Sequence, residues 1–96
     1  MRFSDLFSII ENRKADMPEG SYTTRLLTKG EDEILKKVGE ETMEVILAAK
    51  GQGNQRLVEE IADLMYHTLV LLSARGLNLE DVESELERRH RGITES

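Results

Sequence analysis

Lys37-Val38-Gly39-Glu40-Glu41-Thr42-Met43-Glu44 and, beyond a Gly51-Gln52-Gly53 connection, Glu59-Glu60-Ile61-Ala62-Asp63-Leu64-Met65-Tyr66-His67 decide how this chain folds. Both stretches read as helix. Residues three or four apart share a helix face, so Glu41 points with Glu44 and Glu60 with Asp63. At helical pitch Glu41 falls in the stripe of Ile34, Val38, Val45 and Ala48, and Glu60 in that of Leu57, Leu64 and Leu71. Charges at core-facing positions are costly unless they are paired or bound to metal. A connection this short makes the two helices pack antiparallel. Glu44 and Glu60 each lie eight positions from Gln52, and Glu41 and Asp63 each eleven. The hairpin is therefore expected to set Glu44 level with Glu60 and Glu41 level with Asp63, the two levels about 4.5 Å apart. Four carboxylates then converge on one small patch.

Working outward, Phe3, Leu6, Phe7 and Ile10 recur at helical spacing and predict a first helix over residues 2–14. Residues 15–20 contain Pro18 and read as a loop. Ser21 is placed to cap a second helix that runs to Lys29 and stops at Gly30. The third helix spans Glu31 to Lys50, with acids in its first turn. Asn54 is expected to cap a fourth helix running to Arg75, and Asn78 a fifth ending near Gly92. No run alternates apolar and polar residues as a strand would, and no repeat appears. The expectation is an all-α, four- to five-helix bundle around a central antiparallel hairpin, one domain over residues 1–96. Within the fourth helix, residues 64–72 are apolar nearly all round and must be covered on every side. A chain this thin points to a subunit interface there, with a homodimer as the simplest closed assembly.

Composition narrows the function. The chain has 96 residues, no cysteine and a formal charge of −6, from 19 acids against 13 Lys and Arg. Disulfides and thiolate metal sites are excluded. Asp5 interrupts the position where a secretory leader would have its apolar run, and no apolar stretch is long enough to cross a bilayer. The expected compartment is the cytoplasm, with no membrane partner. Nonspecific nucleic-acid binding needs a basic footprint that this chain lacks. Its one basic cluster, Arg88-Arg89-His90-Arg91, reads as a solvated helix end, where cations suit the dipole.

Four bare carboxylates in a partly dry patch repel one another, which favours either protonation or a bound cation. Lys37, one turn from Glu41, is placed to neutralise one charge. With no Cys and only two His, the remaining oxygen donors suit Mg²⁺, or Mn²⁺, better than Zn²⁺. The ordinary alternative is a solvated face of Glu and Lys pairs. The core-facing phase of Glu41 and Glu60, with the mirror symmetry about Gln52, favours the metal site.

These residues carry a resemblance. The run from Lys37 to Glu44, followed by that from Glu59 to His67, is similar to the signature of the all-α NTP pyrophosphatase superfamily. The Lys37-Val38-Gly39-Glu40-Glu41 run, with Gly20-Ser21-Tyr22-Thr23-Thr24-Arg25-Leu26-Leu27, resembles the phosphoribosyl-ATP pyrophosphatase family, over nearly the whole chain. The resemblance implies Mg²⁺-dependent hydrolysis of phosphoribosyl-ATP to phosphoribosyl-AMP and pyrophosphate, the second step of histidine biosynthesis. It implies Glu41, Glu44, Glu60 and Asp63 as the catalytic metal site, and a chain too short to carry a fused cyclohydrolase as well. Ser21, Tyr22, Thr23, Arg25, Lys29, Lys37 and His67 are the expected substrate contacts. His67, one turn beyond Asp63, could equally be a hydrogen-bonded core residue. Tyr66 reads as packing, Lys36 as a surface partner of Glu40, and Gly39 as a point of close helix approach. Three other functions stay open on residues alone: a housekeeping nucleoside triphosphate pyrophosphatase, a non-catalytic metal-stabilised helical dimer, and a metal-free acidic adaptor.

Overall fold

The computed structural model describes residues 1–95; Ser96, the last residue of the expected domain, lies outside them. The helices are α1 (Phe3–Asp16), α2 (Tyr22–Lys29), α3 (Glu31–Gly51), α4 (Asn54–Ala74) and α5 (Leu79–Glu95), and the described residues contain no strand. The all-α expectation holds.

Local chemistry sets most helix starts. Ser21 Oγ accepts the Thr24 N–H at 3.3 Å, the expected cap of α2. At α5 the Asp81 N–H donates to Asn78 Oδ1 at 3.0 Å and the Asn78 N–H to Asp81 Oδ2 at 2.9 Å, a reciprocal box. The start of α4 differs from expectation. Gly53, at φ 89°, holds the cap position with no side-chain cap, and Asn54 is already helical. Because α3 runs through Gly51, only Gln52 and Gly53 turn the chain, and a left-handed φ there calls for glycine. At the other end, α5 continues through Gly92 rather than stopping at it, since glycine weakens a helix without having to end it.

The α3–α4 hairpin is the most extensive packing in the chain; α1 lies against α4, and α2 against α1, α3 and α4. Phe7 and Ile10 of α1, Leu26 of α2, Ile34 of α3, and Leu69 and Val70 of α4 form the buried core. By contrast, α5 shares only sparse contacts with the other helices. The radius of gyration is accordingly 15.2 Å, against roughly 12.5 Å for a compact chain of this length.

One reading of the hairpin surface needs correcting, and the cover of a second stretch is shared between full and half burial. A Cβ at Gly39 would meet nothing within 4 Å, so among the described residues no other helix packs closely on it. Residues 64–72 are all buried or half-buried by their own chain, with His67, Leu69 and Val70 fully inside. The exposed apolar side chains lie elsewhere: Leu35, Met43, Ile46 and Leu47 on α3, Val58 and Ile61 on α4, and Val82 and Leu86 on α5. Their positions follow from the helical wheel beyond the core stripe, and the chain leaves them uncovered.

Surface charge departs from expectation at the basic cluster: α5 runs on to Glu95, so Arg88–Arg91 lie before its last turn and not at a helix end. Arg89 Nε donates to Glu85 at 2.9 Å and Arg88 pairs the same carboxylate, so this part of the basic cluster is a solvated helix face. Lys36 lies 3.9 Å from Glu40. No described helix is long and apolar enough to cross a membrane.

Candidate functional site

The hairpin opens a cleft of about 560 Å³ between α3 and α4, lined by Glu40, Glu41, Met43, Glu44, Arg56, Glu60 and Asp63. Carboxylate oxygens of Glu41, Glu60 and Asp63 all lie within 4.8 Å of one another. Glu60 is buried, Glu41 half-buried and Asp63 exposed, so the cluster runs from the core to the cleft rim. Glu44 lines the same cleft but stands outside this trio, where sequence spacing had placed it level with Glu60. Glu41 reaches diagonally to Glu60 instead of facing only Asp63. A larger cleft of about 660 Å³ at the far end of the hairpin includes Lys14, Glu31 and Arg75. There Lys14 donates to the Ser73 carbonyl at 2.8 Å and Arg75 to Glu31 at 2.9 Å, with no carboxylate cluster.

Burial and crowding act together on Glu41. The Glu41 carboxyl is pushed up to about 7, first by burial, then by its hydrogen bond with Glu60 and the negative charges of Asp63, Glu60 and Glu44. Near neutral pH Glu41 is thus only partly ionised, as expected for a carboxyl in a partly dry site beside like charges. A carboxyl whose pKa is raised by folding binds more protons folded than unfolded, so its destabilisation is absent below about 4.5 and complete above about 7. With chelator present, the melting temperature is expected to be higher near pH 5.5 than near pH 7.5, and Glu41→Gln to flatten that difference. Equal pH slopes for the two proteins would contradict the assignment.

Arg56 is the cation of this cleft, and the sequence reading missed it. Its Nη2 lies 2.7 Å from Glu60 Oε1 and its Nη1 3.2 Å from Glu59. The signal was present in the spacing of Arg56 and Glu60, four apart on one helix. Lys37, expected to neutralise the cluster, pairs with Glu40 at 3.6 Å instead.

A second group of residues adjoins the cleft. His67 Nδ1 lies 2.8 Å from the Asp63 carbonyl oxygen, which can only accept, so Nδ1 carries the hydrogen. In the neutral ring Nε2 is then an acceptor, and the Tyr22 hydroxyl donates to it at 2.9 Å. His67 is thus a buried, hydrogen-bonded residue that ties α2 to the acidic-cleft segment of α4. Tyr66, read from sequence as packing, bonds Thr23 through its hydroxyl and stacks on Tyr22 at 6.1 Å between centroids. The Arg25 guanidinium carbon sits 5.4 Å over the Tyr22 ring. Burial raises the Tyr22 phenol, with Lys37 opposing it and Tyr66, Glu41 and Glu33 adding to it. Of the expected substrate contacts, Tyr22, Thr23, Arg25 and His67 are brought together, and Lys37 lies near enough to act on Tyr22. Ser21 is occupied as a cap, and Lys29 is exposed in the last turn of α2.

Comparison with known proteins fits this geometry. Residues 3–90 match the family model for phosphoribosyl-ATP pyrophosphohydrolase. The chain is 53% identical over 90 residues to a phosphoribosyl-ATP pyrophosphatase of Clostridium acetobutylicum, covering 94% of this chain and 82% of that one. It is 57% identical over 86 residues to the phosphoribosyl-ATP pyrophosphatase of Listeria welshimeri, covering 90% and 82%. It is also 52% identical over 92 residues to the histidine biosynthesis bifunctional protein HisIE of Bacillus subtilis, covering 96% of this chain and 44% of that one. An acidic helical hairpin of this kind, matched almost end to end at such identity, leaves no room for the adaptor reading: the chain belongs to the phosphoribosyl-ATP pyrophosphohydrolase family.

Proposed function

We propose that the chain hydrolyses phosphoribosyl-ATP to phosphoribosyl-AMP and pyrophosphate, in the second step of histidine biosynthesis, with Mg²⁺ or Mn²⁺ held by Glu41, Glu60 and Asp63. The observation that carries this is the convergence of those three carboxylates within 4.8 Å. The donor set is all hard oxygen, and both nitrogens of the nearby His67 are engaged elsewhere, so the site suits these cations rather than Zn²⁺. When bound, such an ion neutralises phosphate charge and acidifies a water.

The chain's own residues divide the remaining work. Glu60 is fixed by burial and by Arg56. Glu41 would hold the ion as a carboxylate, and Asp63 presents its carboxylate at the rim. Glu44, in the cleft but outside the trio, takes at its carboxylate the proton lost by the attacking water. Arg25, exposed beside the Tyr22 ring, holds the 5-phosphoribosyl arm through its guanidinium fork, while Tyr22 and Thr23 fix α2 against α4. The protein works as a homodimer, through the apolar faces that its own chain leaves uncovered.

A substrate panel tests this reading. Under Mg²⁺ the wild type is expected to release pyrophosphate from phosphoribosyl-ATP far faster than from ATP. Arg25→Ala should weaken phosphoribosyl-ATP by roughly 10- to 100-fold, the worth of a charge-assisted bond, and ATP little. Equal rates on both substrates would favour a housekeeping triphosphatase. Equal losses in the variant would return α2 to a structural role.

A further inference from the structure

A buried carboxylate must be paired, and Glu60, 2% exposed, is the most deeply buried acid of the cleft. Arg56 supplies the pairing: Nη2 to Glu60 Oε1 is 2.7 Å. Of the residues lining the cleft, Arg56 is the only cation. It differs from an ordinary surface arginine in two ways. Its partner is buried in the carboxylate trio, while its own side chain is 50% exposed at the cleft mouth. Its other nitrogen is held by Glu59, itself 47% exposed, 3.2 Å away. Glu59 is not among the cleft-lining residues and can keep the guanidinium at the rim after Glu60 lets go.

We propose that Arg56 is the resident counter-cation of the cluster, which a divalent ion displaces from Glu60 and which then passes its guanidinium to the phosphates of the substrate. The inference rests on the metal reading given above. A metal ion held by Glu60 and Arg56 compete for the same carboxylate, and their like charges repel at close range. Arg56 therefore weakens metal binding on its own while strengthening the binding of an anion beside the metal. A planar guanidinium with several donors is the side chain best suited to grip a phosphate in this way. The exchange matches the cleft's charge at each stage: an arginine against carboxylates first, then metal and arginine together against carboxylates and phosphates.

The two effects have opposite signs, which a merely structural ion pair would not produce. In the test, free Mn²⁺ is measured by electron paramagnetic resonance during titration of wild-type protein, Arg56→Gln and Arg56→Lys. Inorganic pyrophosphate is then titrated at saturating Mn²⁺. Arg56→Gln is expected to bind Mn²⁺ roughly 3- to 10-fold more tightly, a screened repulsion at a half-exposed group. It should bind pyrophosphate on the order of tenfold more weakly. Arg56→Lys keeps the charge and loses the fork, so Mn²⁺ affinity should stay near wild type and pyrophosphate binding fall in between. Weaker or unchanged Mn²⁺ binding in Arg56→Gln, or unchanged pyrophosphate binding, overturns the proposal while leaving the metal reading intact. Wild-type protein that takes up no Mn²⁺ overturns both.

Discussion

Asp63→Asn is expected to lower turnover of phosphoribosyl-ATP by a factor of about 10³ or more, with Mn²⁺ binding lost in parallel, since electrostatic stabilisation is usually the largest catalytic contribution. Asp63 is the cleanest position for the experiment. Its side chain is exposed, the substitution keeps its shape, and the backbone carbonyl that holds His67 is unaffected. Glu60→Gln is less clean, because it also removes the partner of Arg56 at 2.7 Å. Glu44→Gln should behave differently. A proton acceptor outside the metal trio should cost roughly 10²- to 10⁴-fold in turnover while Mn²⁺ affinity stays close to wild type. If Glu44→Gln abolishes Mn²⁺ binding, Glu44 is a ligand after all, as its helical spacing suggested. If Asp63→Asn retains near wild-type turnover, the cluster is not the active site.

The second large effect concerns assembly. The described chain exposes 6792 Å², whereas a compact monomer of this mass exposes roughly 5,600 Å². The excess comes from the projecting α5 and from apolar side chains left in solvent. Leu35, Met43 and Ile46 recur along one face of α3, with Ile46 51% exposed. A two-fold interface uses each residue twice, once from each protomer. Burying one large aliphatic side chain is worth about 1.5–3 kcal/mol, so Ile46→Glu should weaken a dimer by at least about 3–6 kcal/mol, or 10²- to 10⁴-fold. Light scattering at micromolar concentration is expected to give twice the 10.9 kDa chain mass for wild type and the single-chain mass for Ile46→Glu. A wild type that is folded and monomeric at that concentration would contradict the homodimer.

Much of this architecture can be read from helical periodicity. The all-α fold, the hairpin about Gln52, and the convergence of Glu41, Glu60 and Asp63 follow from side chains three and four apart, a rule set by backbone geometry. The same rule sets Arg56, four residues before Glu60, on the face of the acid it pairs. What stayed illegible needs tertiary information. Counting positions from the turn puts Glu44 opposite Glu60, but the count treats side chains as points at their Cα positions. Glu41 is long enough to reach across to Glu60, and Glu44 is left on the cleft wall. Tyr66 bonds Thr23 and stacks on Tyr22 across more than forty positions of sequence, which no local pattern encodes. The apolar run of residues 64–72 signalled burial correctly. Whether its cover comes from the same chain or another depends on how the other helices pack on α4, and they leave six of its nine residues half-buried.

The central claim is that Glu41, Glu60 and Asp63 together hold the catalytic divalent ion. Anomalous scattering from crystals grown with Mn²⁺ tests it most directly, because it locates the ion without reference to activity. The account predicts one or more strong peaks within about 2.0–2.6 Å of carboxylate oxygens from all three residues, the range for hard cations. A peak elsewhere, or Mn²⁺ bound with none of these three side chains in contact, would contradict it.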